Sequence, residues 1–148
     1  TVVSILQAYA FLAIAALFGV RFPITGMLLA LPVLLMTGMM LGAVGLALSS
    51  TISQLENFPG VMNFVIFPAF FLSTALYPLW KMAESSTVLR DICALNPFTH
   101  AVEAIRFALY GQVNWMMLLW VMLAFLAFFA ASLWGYDPAK ALIVRKGR

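Results

Sequence analysis

The spacing of charged residues constrains this 148-residue chain more than any other sequence feature. No Asp, Glu, Lys or Arg lies between Arg21 and Glu56, between Glu56 and Lys81, or between Arg106 and Asp137. These uncharged stretches are 24 to 34 residues long, and about 20 helical residues cross a hydrocarbon core of about 30 Å. The chain is 65% apolar and 9% charged, whereas a soluble domain is about 45 to 50% apolar and about 25% charged. The sequence therefore excludes an ordinary soluble domain and predicts an integral membrane protein.

Four apolar segments divide the chain, and each is predicted to form a transmembrane helix. Their ranges are 2–20 (span A), 26–50 (span B), 61–77 (span C) and 115–134 (span D). Residues 78–114 contain three basic and three acidic residues, yet they are too apolar for a loop in free water. Residues 135–148 form a tail. We therefore predict a single transmembrane domain of the all-α class, with four transmembrane helices and a re-entrant or amphipathic helical segment before the last of them.

The segment between spans C and D contains an amphipathic helical pattern. Asn96 suits the N-cap of this helix, Pro97 suits its first position, and Gly111 ends it. Its apolar face is formed by Phe98, Val102, Ile105 and Leu109. Such a helix lies at the membrane surface or enters the membrane as part of a re-entrant pair.

The opposite face of the same helix carries His100, Glu103 and Arg106. Glu103 and Arg106, three residues apart, are predicted to form a surface ion pair worth a few tenths of a kcal/mol. A proton relay through these three side chains is the alternative. We favour the ion pair, because relay residues are normally buried within the spans.

The basic residues of the tail predict the orientation of the chain. An even number of spans places both ends on one side of the membrane, and Lys140, Arg145, Lys146 and Arg148 lie within nine positions of one another. Because cytoplasmic segments carry an excess of Lys and Arg, this end is predicted to be cytoplasmic.

Small residues recur along one face of span B. They are Gly38, Gly42, Gly45 and Ser49, at spacings of four, three and four. In lipid such a pattern allows helix backbones to approach closely. The pattern is interpreted as a helix-packing surface, either of a general kind or against another long helix of a gating bundle.

Span C carries a face on which two polar side chains flank two aromatic ones. Its members are Asn63, Phe67, Phe70 and Thr74, and Pro68 is expected to bend the helix between them. This face is a candidate pathway for an amphipathic or apolar solute. Equally, Asn63 is interpreted as an interhelical hydrogen-bond partner, with the Phe side chains in lipid or in the core.

The chemistry-bearing residues exclude several function classes. One cysteine, Cys93, and one histidine, His100, do not make a metal site of Cys and His ligands. No span contains paired carboxylates or a nucleophile with a base, which argues against an enzyme. The net charge of +3 is too small to indicate nucleic-acid binding. Because the spans lack ionisable residues, any transport is expected to draw its energy from elsewhere.

Two tandem sequence blocks resemble the permease subunits of ABC type-2 exporters. The first block runs through Leu46–Ser50, Gln54–Phe58, Asn63–Pro68 and Phe71–Leu79, and the second is Leu95–Arg106. Many members of that family have Gly at the position of Thr74, so the bend at this end of span C departs from the family pattern. The strings at 54–58 and 136–140 are also similar to permeases associated with bacterial quinoprotein alcohol oxidation.

The resemblance implies a six-helix permease, of which spans A to D would be the third to sixth helices and this chain the C-terminal part. It implies a permease dimer, a separate ABC ATPase that binds ATP and Mg, and a bacterial inner-membrane location. The loop with Thr51, Gln54 and Glu56 becomes a candidate contact with the ATPase. The re-entrant segment would include Asn96, Pro97, His100, Glu103 and Arg106.

The function expected from these observations is that of the permease subunit of an ATP-driven exporter, with no bond-breaking chemistry on the chain itself. The alternative is a helical membrane scaffold or assembly module that transports nothing and packs through the small residues of span B.

Overall fold

The computed structural model describes residues 1–51, 58–78, 81 and 84–135. Within these ranges the chain forms six α-helices and no β-strand. They are α1 (Val2–Leu17), α2 (Ile24–Thr51), α3 (Phe58–Phe71), α4 (Thr87–Leu95), α5 (Pro97–Leu109) and α6 (Trp115–Gly135). By length and composition α2 and α6 are suited to cross a membrane, and α1 and α3 are shorter apolar helices. The prediction of an all-helical chain with apolar helices is confirmed.

Two helices end earlier than the sequence predicts. Helix α1 stops at Leu17 and not at residue 20, because Gly19 adopts a φ of +90°. Its amide donates back to the Ala16 carbonyl at 3.1 Å, which closes the helix. Helix α3 stops at Phe71 and not at residue 77, so Thr74 lies beyond its end. The cause of this second difference lies in contacts with α5.

Helix α2 is the central helix of the bundle, and α1 and α3 run antiparallel to it. The Tyr9 hydroxyl of α1 donates to the Met27 carbonyl near the start of α2. Thr1, before the first residue of α1, lies close to Gly38 further along α2. Met62 near the start of α3 is the side chain nearest to Gly45 in the second half of α2.

Helix α6 runs parallel to α2 and forms the most extensive helix pair of the structure with it. Met117 and Leu118 pack near Ala30 at the start of both helices. At the other end of the pair, Gly135 lies so close to Ser50 that an added methyl group would overlap its hydroxyl. The two long apolar helices therefore begin at one end of the bundle and finish at the other.

Helix α5 packs into the groove between α2 and α6 and runs opposite to both. Ala108 near its end lies with Ala30 near the start of α2. Ala101 in its first half lies with Met40 and Val121, further along the two long helices. Helix α5 thus extends from the middle of the bundle to the end at which α2 and α6 begin.

The buried face of α5 differs from the predicted apolar face. The large residues expected there, Phe98, Val102, Ile105 and Leu109, are only partly buried. The fully buried positions are Thr99, Ala101, Glu103, Ala104 and Ala108. Between helices in lipid the small side chains make the close contact, since lipid solvates the large ones equally well. Periodicity located the helix, and the structure shows that its buried face contains mainly small residues and not the large apolar ones.

Side-chain caps define the starts of the last three helices. The Ser86 hydroxyl accepts from the Leu89 amide at α4, and the Asn114 carboxamide oxygen accepts from the Met117 amide at α6. The predicted cap at Asn96 is confirmed, since its side chain accepts from the Phe98 amide at 3.0 Å. The predicted end at Gly111 is also confirmed, because this residue has a φ of +77°.

Candidate functional site

A set of polar side chains joins the end of α3 to the start of α5. Its members, Thr74, Asn96, Thr99, Glu103 and Arg106, are named the polar junction. The Asn96 amide nitrogen donates to the carbonyls of Ala69 and Leu72 at 2.7 and 3.0 Å. Ala69 lies in the last turn of α3, where carbonyls have no partner within the helix, and Leu72 directly follows the helix. Asn96 therefore caps the end of α3 while its oxygen caps the start of α5.

Arg106 secures the segment that follows α3. Its guanidinium donates to the Thr74 carbonyl at 3.0 Å and forms an ion pair with Glu103 at 2.5 Å. The Thr74 hydroxyl donates to the Thr99 carbonyl at 3.4 Å. The early end of α3 follows from these bonds, because α5 satisfies carbonyls that a longer α3 would have satisfied itself.

The ion pair of Glu103 and Arg106 was predicted, but its surroundings were not. Glu103 is only 7% exposed, whereas the Arg106 side chain is 35% exposed, so the pair is buried at its carboxylate end and is not the surface pair that was predicted. Its guanidinium spans from the carboxylate of α5 to the backbone beyond α3, which joins two parts of the bundle. An ion pair in this position stabilises the contact between these two parts, and the removal of one residue leaves the other without its partner.

His100 occupies a separate environment one turn away. Its Nε2 lies 2.8 Å from the Ala94 carbonyl, and since a carbonyl only accepts, Nε2 donates. The ring stacks on Trp120 with centroids 5.5 Å apart and borders a cavity of about 290 Å³. Its Nδ1 is buried without a partner among the described residues. The hydrogen bonds of the described chain do not link His100 to Glu103 or Arg106, so they provide no continuous path for a proton relay.

The predicted pathway face of α3 divides into exposed and buried members. Asn63 is exposed, and Phe67 and Phe70 are 57% and 42% exposed. Thr74 is fully buried in the polar junction. Thr74 therefore does not share the exposed face of Asn63, Phe67 and Phe70: α3 has ended before it, and its hydroxyl bonds to α5.

The predicted packing surface of α2 lies beside the face that α2 uses for its main contacts. Gly38 approaches Thr1 and Gly45 approaches Met62, whereas a side chain at Gly42 would meet nothing within 4 Å. Ser49 is exposed. The main contact face instead contains Gly26, Ala30, Val33, Thr37, Met40 and Val44.

The closest contact between helices was missed at the sequence level. Gly26 lies so near the Leu109 carbonyl that a methyl group there would overlap the carbonyl oxygen. The signal for it was the small pair Gly26 and Ala30 on α2, matched by the alanines at 101, 104 and 108 on α5. Of the predicted ATPase-contact loop, Gln54 and Glu56 lie outside the described residues. Thr51 is the last residue of α2, with its hydroxyl bonded to the Ala47 carbonyl.

Comparison with known proteins finds several relatives. The chain is 35% identical to ycf38 of Porphyra purpurea, a protein named as a transport permease, over 118 residues or 78% of its length. The ycf38 protein of Pyropia yezoensis matches to the same extent. Nodulation protein J of Rhizobium leguminosarum bv. viciae is 29% identical over 86 residues, 58% of this chain. The chain spans 32 to 38% of the length of these curated relatives.

No solved structure matches the chain. The family comparison is decisive, since residues 1–110 match the model of the ABC-2 type transporter. Together with the apolar helices α1, α2, α3 and α6, this match makes the protein a multi-pass membrane protein. The chain belongs to the ABC-2 type transporter family.

Proposed function

We propose that this chain is the membrane-spanning permease subunit of an ATP-driven ABC exporter. In this proposal two permeases form the substrate pathway between them, and a separate ATPase chain binds ATP and Mg. The observation that carries the proposal is the family match over residues 1–110. Two of the relatives are named as transport permeases, which favours a transport subunit over an enzyme.

The absence of charge from the long apolar helices supports an external energy source. Helices α1, α2, α3 and α6 contain no Asp, Glu, Lys or Arg. Ion-coupled carriers usually keep ionisable residues within the membrane, where each costs about 2.5 to 3.5 kcal/mol on insertion scales. A chain without them is suited to be moved by conformational work from a partner ATPase.

The sparse packing of α3 supports a role in the substrate pathway. Apart from its polar junction with α5, α3 contacts the rest of the chain mainly through α2. Asn63, Phe67 and Phe70 remain exposed along it. We assign these three side chains to the face that lines the pathway, and we exclude Thr74.

The orientation belongs to the same proposal. We place α1, α2, α3 and α6 across a bacterial inner membrane as four spans, with the basic tail in the cytoplasm. The Thr51 end of α2 then faces the cytoplasm, where an ATPase binds.

The experiment is purification of the tagged full-length protein from its native membranes in a mild detergent. We expect an ABC ATPase to co-purify and the complex to hydrolyse ATP. Recovery of the protein as a stable assembly without any nucleotide-binding chain would overturn the proposal and favour a scaffold module.

A photo-crosslinking amino acid at Phe67 tests the pathway, and the same amino acid at Phe11 is the control. Both side chains are exposed, and Phe11 lies on α1. We expect position 67 to form a crosslinked product whose yield with ATP differs from its yield with ADP. At position 11 we expect the same yield with both nucleotides. Equal yields with both nucleotides at position 67 would remove α3 from the pathway.

A further inference from the structure

A cavity of about 400 Å³ opens between the segment that follows α3 and the start of α4. Such a volume falls within the range of about 300 to 1,000 Å³ that is typical of small-molecule sites. Its lining combines three apolar residues with two residues that carry a hydroxyl group and one lysine. The lining residues are Phe71, Leu76, Tyr77, Lys81, Ser85 and Leu89.

Lys81 gives this cavity its charge. The ion pairs in the described part of the chain are Arg90 with Asp91 and Arg106 with Glu103, and neither includes Lys81. Glu84 is near in sequence, yet it is not within ion-pair distance of Lys81. Residues 79, 80, 82 and 83 carry no charge. Among the described residues, the ammonium group at the cavity therefore has no carboxylate partner.

The hydroxyl groups extend the polar side of the cavity. Tyr77 and Ser85 each provide a hydrogen-bond donor besides the three donors of a Lys ammonium. Carboxylates and phosphates accept such bonds, and bonds to a charged partner are roughly twice as strong as neutral ones. Lys81 is exposed, so an anion bound at the cavity can accept a charge-assisted hydrogen bond from its ammonium group.

The apolar side of the cavity fits a hydrocarbon chain. Phe71 and Leu89 form walls from opposite elements, α3 and α4, and Leu76 lies on the segment between them. A ligand that matches both sides has an acidic head group and an alkyl chain. Membrane lipids with anionic head groups and free alkyl acids share this chemistry.

We propose that the cavity between α3 and α4 binds an anionic amphiphile. Lys81, Tyr77 and Ser85 hold its carboxylate or phosphate head, and Phe71, Leu76 and Leu89 surround the start of its alkyl chain. This binding needs neither nucleotide nor an ATPase, so it can be tested separately from the proposed export function.

The first test is binding of dodecyl phosphate to the purified full-length protein in a neutral detergent, measured by calorimetric titration. We expect Lys81→Gln to weaken binding about tenfold or more, because it removes one charge-assisted contact, and Lys81→Arg to retain it. Arg90→Gln is the matched control, since it also removes one exposed positive charge, but one that pairs with Asp91 outside the cavity. Equal binding by wild type, Lys81→Gln and Arg90→Gln would overturn the proposal, as would equally tight binding of uncharged dodecanol.

The apolar walls are tested with bulky substitutions on α4. Leu89→Trp fills the cavity and is expected to weaken dodecyl phosphate binding, whereas Val88→Trp places the same ring on an exposed neighbour that does not line the cavity. Thermal unfolding of each variant shows that it has folded. Unchanged binding by a folded Leu89→Trp variant would contradict the assignment of the alkyl chain to this cavity.

The source of the amphiphile is distinguished in nanodiscs. Native mass spectrometry of protein extracted from discs of phosphatidylglycerol or of phosphatidylcholine counts the retained lipids. Retention of phosphatidylglycerol that is lost in Lys81→Gln assigns the site to a membrane lipid. Binding of dodecyl phosphate alone, again lost in Lys81→Gln, assigns it to a free amphiphile, and either result supports the proposed ligand class.

Discussion

Asn96 joins two helices through the two ends of one carboxamide. Its oxygen accepts from the Phe98 amide at the start of α5, and its nitrogen donates to the carbonyls of Ala69 and Leu72 at the end of α3. Ser, Thr or Asp supplies the acceptor that an N-cap needs, but none supplies two N–H donors at the same time. The junction therefore depends on this residue type and not on capping alone.

Asn96→Asp separates the two roles. The carboxylate keeps the cap of α5 but loses both donors and places a negative charge beside two carbonyl oxygens. We expect the free energy of unfolding to fall by about 1 to 3 kcal/mol, the usual cost of buried polar groups without partners, with little change in helix content. Thermal unfolding followed by circular dichroism in detergent measures both quantities. Asn114→Asp is the control, because Asn114 acts as an acceptor at the start of α6, and an equal loss in both variants would contradict the double role.

The two ion pairs of the described chain predict different responses to the loss of an arginine. Arg106→Gln leaves the buried Glu103 carboxylate without its partner, and we expect the free energy of unfolding to fall by about 1 to 3 kcal/mol. The loss is no larger because the arginine is itself partly exposed. Arg90→Gln breaks a pair whose side chains are 48% and 63% exposed, so its loss should stay below about 1 kcal/mol. Denaturant titration compares them. Equal losses would show that the Glu103 carboxylate is exposed to water. Partial recovery of stability in the Glu103→Met, Arg106→Met double variant would support its burial.

Helix α5 is positioned by small residues on both sides of its contact with α2. Gly26 and Ala30 on α2 meet a face of α5 that contains Ala104 and Ala108. Because lipid provides no hydrophobic force between helices, close van der Waals packing is what holds such a pair together. The depth of α5 in the bundle is thus set by side chains that a hydropathy profile treats as nearly neutral.

Gly26→Ala is expected to disturb this contact strongly. The new methyl group overlaps the Leu109 carbonyl oxygen, a backbone atom that no side-chain rotation moves away. We expect the free energy of unfolding to fall by about 1 to 3 kcal/mol, which is typical of overpacked cores. Gly42→Ala is the matched control on the same helix: its methyl group meets open space, and the better helix propensity of Ala should stabilise it by up to about 1 kcal/mol. A Gly26→Ala variant as stable as Gly42→Ala in thermal unfolding would show that the helices are further apart.

The sequence predicted the helices better than it predicted their ends and faces. Uncharged stretches located α2 and α6 within two residues of their observed bounds, because length and polarity alone decide where a chain can cross lipid. The end of α3 was missed because Asn96, 25 residues after Phe71, determines it. The buried face of α5 was missed because hydrophobic periodicity does not separate contact with lipid from contact with protein. The sequence singled out Asn96, Glu103 and Arg106, but it did not predict the bonds of Asn96 to Ala69 and Leu72 or the bond of Arg106 to the Thr74 carbonyl.

At the scale of the whole molecule, two turns of the bundle lie together at one end. Thr25, just after the turn between α1 and α2, lies against Gly111 in the turn between α5 and α6. Ser50 and Gly135, near the ends of α2 and α6, meet at the opposite end. If α2 and α6 cross a membrane, these two groups of residues must face opposite sides of it.

Accessibility of single cysteines to a small charged maleimide tests this arrangement in intact cells. The native Cys93 is fully buried and burial raises the pKa of its thiol, so it should react slowly and the parent protein serves as the blank. Arg21→Cys and Gln112→Cys place exposed thiols in the two turns, and Thr51→Cys places one at the other end. We expect positions 21 and 112 to react from outside and position 51 to react only after permeabilisation. Reaction of positions 21 and 112 from different sides would refute the parallel course of α2 and α6. Reaction of position 51 alone from outside would keep the fold and reverse the proposed orientation.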